Sequence, residues 1–230
     1  MKTLVEKTHA WFEQFSTDWQ DRYLSRQRHL YCAEACPHCC HLAVHAVFPE
    51  AAAVASELSR EQSACLTTYV KRLSRAVESF DTLKSYLKQH RNQLGPCPFL
   101  DATGSCGVYQ NRPLSCRALL STRPAEWCGV DFSELDQWDK QAYQSSLDRE
   151  FVAWPTHFVA ATQDFARSEE QQLLQTMLKT CGWSLTGNFA VMVWLEQSCG
   201  LAKLSASEVQ TAIAASGLEC RFLLELTLND

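Results

Sequence analysis

Seven of the twelve cysteines in this chain fall into two short blocks: Cys32, Cys36, Cys39 and Cys40, then Cys97, Cys106 and Cys116. Around the second block the sequence turns to Gly, Pro, Ser and Asp with little periodicity, so Leu94 to Gly129 reads as an irregular loop region. A compact domain seldom carries so long an irregular stretch unless something other than regular structure ties it down, and a bound metal does so. Whatever fold this chain takes, it has to close around these thiols.

A disulfide framework is the competing use of so many cysteines. Such frameworks belong mostly to short secreted chains, whereas 230 residues bury a core without staples. The opening MKTLVEKTHAWFEQ spreads its charges and has no apolar core segment, so no signal peptide is expected and a cytoplasmic, reducing compartment is. In that setting clustered cysteines are metal ligands or redox groups more often than cross-links. The longest apolar run, Phe189 to Leu195, falls far short of the roughly 20 residues that span a bilayer, so a soluble protein without a membrane partner is expected. Net charge is −5, and Lys71, Arg72 and Arg75 form the main basic cluster. That is too small a basic surface for general nucleic-acid binding, and it reads as a solvated helix face.

Apolar residues at Leu4, Trp11, Phe15, Trp19, Tyr23 and Leu30 recur at helical spacing over residues 3–30. Pro49 opens an alanine-rich stretch whose pattern continues through Leu66, Tyr69, Leu73, Val77, Phe80 and Leu87, giving one or two helices. Phe132 to Trp154, Thr156 to Cys181 and Gly187 to Cys199 read as further helices, and Ser205 with Glu208 forms a capping-box pattern that opens a last one. The expected fold is mainly α: a helical domain with an irregular cysteine-rich metal-binding region and few or no strands, at most a short hairpin near the cysteines. Residues 1–130 would form the N-terminal helices and the metal-binding domain, and 131–230 a helical extension packed on it.

Cys36 and Cys39, two residues apart, can reach one metal from a single turn, and the second block about 60 residues on supplies three more thiols. The expected ligands are Cys32, Cys36, Cys39, Cys40, Cys97, Cys106 and Cys116. Seven thiolates exceed the four of a mononuclear zinc site or one cubane cluster, so either some stand outside the ligand shell or several metals are held. Adjacent side chains such as Cys39 and Cys40 are expected to point in different directions. His38, His41 and His45 are possible substitutes, although each reads more readily as a surface or core residue. Cys128 stays open between ligand and core. Cys65, Cys181, Cys199 and Cys220, isolated in apolar helical patterns, read as small core residues. Thiolate ligation suits an iron-sulfur cluster and zinc alike, and the surplus of thiols favours the cluster.

The phrases CAEACPHCC at 32–40 and CPFLDATGSCGVYQNRPLSCR at 97–117 resemble the YkgJ-like cysteine-cluster family, also called CxxCxxCC. In the second phrase Cys97, Phe99, Leu100, Cys106, Tyr109, Arg112, Pro113, Cys116 and Arg117 fall in register with the family pattern. The resemblance covers roughly residues 30–130 and implies zinc or iron chelation, or iron-sulfur binding. Two features depart from the pattern: the first gap has three residues rather than two, with Pro37 where glycine is usual, which makes Cys32 a less secure ligand than Cys36, Cys39 and Cys40, and the proline common soon after Cys-Arg comes only at Pro124. Arg112 and Arg117 are expected near the thiolates, as donors to sulfur or in a surface ion pair. Tyr109 and Phe99 would cover the site, and Asp101 reads as a turn residue.

The leading function is a metal-binding protein with a structural, redox or metal-handling role. An iron-sulfur enzyme using S-adenosylmethionine is the alternative, because Cys32, Cys36 and Cys39 also spell CxxxCxxC and some flagellin lysine methylases carry a similar cluster. A zinc-stabilised module whose C-terminal helices bind a partner protein is the third, with Trp127, Trp138, Trp154, Trp183 and Trp194 as candidate surface aromatics.

Overall fold

A computed structural model describes residues 1–229. Among them the chain forms nine α-helices and one three-stranded sheet, so the mainly α expectation holds. The first helix, α1 (Lys2–Leu24), turns Val5, Phe12, Ser16 and Tyr23 inward. The face expected from Trp11, Phe15 and Trp19 is displaced by about one residue, and Trp11 is 57% exposed. Aromatics at both 11 and 12 let the helical period fit either face. The choice is made by α7 (Ala160–Cys181), whose Phe165 stacks on Phe15 at 4.1 Å between centroids.

The sheet is the element the sequence pattern conceals. Strands β1 (His45–Val47), β2 (Trp183–Asn188) and β3 (Leu224–Leu228) pair antiparallel in that order. Gly182 ends α7 in the left-handed conformation, and the chain leaves it directly into β2. Within β2, Gly187 has φ +155° and packs so tightly that a Cβ there would lie 2.0 Å from the Leu223 carbonyl oxygen. Only glycine fits that crossing.

Next comes α8 (Phe189–Cys199), capped by the Asn188 side chain, which accepts from Val191 N–H at 3.1 Å. Its Val191, Met192, Val193 and Leu195 are fully buried. Burying each such side chain stabilises by about 1.5–3 kcal/mol. The longest apolar run is therefore a core helix, and among the described residues no helix is long and apolar enough to cross a membrane. Against α8 pack α2 (Phe48–Ala55) and α3 (Arg60–Ala76), the latter opened by a Ser59–Gln62 capping box. The helix continues after a turn as α4 (Leu83–Gln89). The main core and the sheet thus draw on both sides of residue 130, with β1 from one side paired to β2 from the other.

Expected helix boundaries shrink where caps and breaks intervene. The helix expected over 132–154 is only α6 (Gln137–Ser145), started by Asp136, whose carboxylate accepts from Asp139 N–H at 2.8 Å. Residues 152 and 159 instead bridge as extended chain, so α7 begins at Ala160 rather than at Thr156. Helix α9 (Ala206–Ala215) starts from the expected capping box. Cys65, Cys181 and Cys199 are exposed, contrary to the core reading. On α3 it is the neighbouring Leu66 that reaches the core, one position round from Cys65.

Candidate metal centre

The first cysteine block leaves α1 through an extended segment whose Tyr31 N–H donates to the Ser121 carbonyl at 2.9 Å. Within the block Ala35 adopts the left-handed conformation at φ +60°. Pro37 then begins a single tight turn over His38–His41 with three residues per turn, which carries Cys39 and Cys40. The chain passes from that turn straight into β1, so the sheet anchors the block at its C-terminal end.

The second block is a hairpin-like loop. Leu100 and Cys106 form a bridge, and Gly107 N–H donates to the Phe99 carbonyl at 2.7 Å. Asp101 is the turn residue expected: its carboxylate accepts from the N–H groups of Thr103 (2.8 Å) and Ser105 (2.9 Å). Gly104, at φ +86°, lets this loop press against Ala35 and Pro37 of the first block. A single backbone bond, Cys97 N–H to the Cys40 carbonyl at 2.8 Å, ties the two blocks directly. Cys116 stands on the one-turn helix α5 (Leu114–Arg117). Buried Glu50 of α2 holds the start of that helix by accepting from Leu114 N–H at 2.8 Å.

These elements enclose a cavity of about 330 Å³. All seven expected cysteines line it, and so does Cys128, which places that open case at the site. Cys39 and Cys40 both border it, and their thiols are in contact with one another. His38, His41 and His45 are not part of its wall, whereas Phe99, Tyr109 and Arg112 are. Among the described residues no three His, Cys, Asp or Glu side chains already converge at metal-holding positions. The thiols ring a space rather than meet at a point.

Thiol electrostatics differ around the ring. Contact with the Cys40 thiol brings Cys39 down to about 7, with Arg112 helping, and pushes Cys40 up in turn. Burial raises Cys97 to about 12 and Cys116 well above its usual range. Arg112 favours the thiolate forms of Cys39, Cys106 and Cys116. It lies over the Tyr109 ring at 3.9 Å, and its buried Nε has no hydrogen-bond partner among the described residues. Arg117 acts on the backbone instead, with its Nε donating to the Arg112 carbonyl at 2.7 Å and its other nitrogens taken by Glu13 and the Gln110 carbonyl. Of the two arginines expected near sulfur, Arg112 supplies charge and Arg117 fixes the loop that carries it.

Three contributors were invisible to sequence reasoning. Phe189, from the start of α8, lines the cavity and meets Phe99 edge-on at 5.7 Å, and Glu13 and Gln20 of α1 close another side. No local pattern marks them, because each arrives through tertiary packing. The donor set fits a thiophilic metal: eight sulfurs, one nearby guanidinium and an aromatic cover.

The family model described as "CxxCxxCC: Putative zinc- or iron-chelating domain" matches residues 31–144. No curated protein and no solved structure matches the chain. The matched span contains every one of the eight cavity cysteines, and over residues 31–144 the chain carries the domain of the CxxCxxCC family.

Proposed function

We propose that this protein holds a polynuclear iron-sulfur centre in the thiol-lined cavity, for a redox or metal-handling role. The observation that carries the reading is that eight cysteines from three separate segments line one space of about 330 Å³. One mononuclear zinc site uses four ligands and draws its sulfurs to about 2.3 Å from a single ion. Eight thiols around a cavity of this size suit a centre with several metal atoms better. Cys32, Cys36, Cys39, Cys40, Cys97, Cys106, Cys116 and Cys128 are the candidate ligands, and Arg112 offsets the negative charge they bring. Phe99, Tyr109 and Phe189 limit water access, which tunes the potential of a buried centre.

The test is iron, zinc and acid-labile sulfide analysis with an optical spectrum on protein purified without oxygen. Iron with sulfide and a broad visible band supports the reading. One or two zinc per chain without sulfide replaces it with a structural zinc module. Protein that takes up no metal while its cysteines oxidise refutes both.

A further inference from the structure

A second cavity, of about 380 Å³, lies on the other side of Cys128, which lines both spaces. Its walls are aromatic and come from segments outside the cysteine blocks: Trp127, Phe132, Tyr143 and Phe158. Three of these rings already pack together, with Tyr143 at 4.8 Å from Trp127 and 4.6 Å from Phe132. The volume falls in the range of small-molecule sites, about 300–1,000 Å³.

Its charge is one-sided. Lys140 and Arg91 line the cavity, and among the described residues no acidic side chain does. Arg91 is partly neutralised by Asp131 at 3.6 Å and donates to the Val130 carbonyl, but the Lys140 side chain makes no ion pair or hydrogen bond among the described residues. A third cation, Arg123, stands near enough to Tyr143 and His157 to act on both. At the wall shared with the cysteine cavity, His157 Nε2 lies 3.4 Å from Cys128 Sγ and His157 Nδ1 lies 2.8 Å from the Tyr143 hydroxyl.

From the aromatic walls, the unpaired Lys140 side chain and the shared Cys128 wall, we propose that this cavity is a binding site for a small aromatic anion, seated beside the thiol-lined cavity. The rings take the ligand's flat face, and Lys140 takes its carboxylate or sulfonate. The site does not depend on the metal reading, because none of its walls except Cys128 comes from the thiol ring.

Isothermal titration of the full-length protein with 2-naphthoate tests this, beside its uncharged counterpart 2-naphthalenemethanol. The expected result is one saturable site for 2-naphthoate, with the alcohol weaker by about fivefold or more, the size of a partly screened ion pair. Lys140→Met brings the acid down to the alcohol's affinity and leaves the alcohol unchanged. Gln144→Trp, which fills the cavity, abolishes both, with folding checked by circular dichroism and thermal melting. Either no saturable binding, or equal affinity for acid and alcohol, or binding that survives Gln144→Trp in a folded protein overturns the proposal. The titration is run on metal-free and metal-loaded protein, so that a failure of the metal reading shows separately in the metal content.

Discussion

Replacing Arg117 by alanine removes the fastening of the loop between Tyr109 and Cys116. The residue is 8% exposed, and its three guanidinium nitrogens donate to the Arg112 carbonyl, the Gln110 carbonyl and Glu13. Each backbone acceptor left dry and unpaired costs about 1–3 kcal/mol, although water can reach the exposed Gln110. The Glu13 side chain is 49% exposed, so its ion pair adds less than about 1 kcal/mol. The sum for Arg117→Ala is about 3 kcal/mol, a fall in Tm of roughly 6–12 °C for a chain of this size. Arg117→Lys, which keeps one charge but not the planar fork, recovers about 1 kcal/mol of that. Glu13→Ala costs under about 1 kcal/mol. The assay is urea unfolding at fixed metal occupancy, with metal content measured in parallel. Loss of stability with the remaining folded protein still binding metal is expected, since each Arg117 nitrogen is bonded to an oxygen rather than to sulfur. An alanine variant within about 1 kcal/mol of the parent, or one matched by Glu13→Ala, would refute the reasoning.

Three further outcomes follow from the structure. Glu170, pushed up to about 8 by burial and by Glu50, is protonated in the folded state where the unfolded chain has lost its proton. It therefore destabilises progressively from its unfolded pKa up to about pH 8, so Glu170→Gln gains about 2–4 kcal/mol at pH 8.5 and little at pH 4; a gain independent of pH would contradict this. His90 and His157 are both held near 4 by burial, so the unfolded chain binds up to two more protons than the folded one as pH falls from 6.5 towards 4. Between pH 6 and 5 Glu170 opposes one of those protons, and Glu170→Gln should roughly double the acid slope of stability, read by denaturant melts at each pH. Ala35→Gly relieves a left-handed alanine and should raise stability by about 0.5–1 kcal/mol; destabilisation would mean the turn is not strained.

Much of the site was legible because its signals are local. Seven thiols, the Asp101 turn and the register of Arg112, Pro113 and Cys116 all lie within two short phrases, and the cavity gathers them. The Ser205 capping box was legible for the same reason. What the sequence hid is long-range. β1 is three residues long and pairs with a strand about 140 residues away, so neither has a hairpin turn to announce it. Phe189 and Glu13 reach the cavity by packing, and Cys128 is set apart from its companions by intervening chain. The choice between Leu66 and Cys65, or Phe12 and Trp11, needs the partner surface, because a helical period alone tolerates a one-residue rotation.

The most direct test of the central claim is X-ray absorption at the metal edge on the anaerobically prepared protein, reading the ligand shell of whatever iron or zinc it carries. A sulfur shell at about 2.3 Å is expected, lost together with metal when Cys39 and Cys97 are both replaced by alanine. A shell of nitrogen and oxygen, or metal that stays in place in that double variant, would contradict the assignment of the cavity thiols as the ligands.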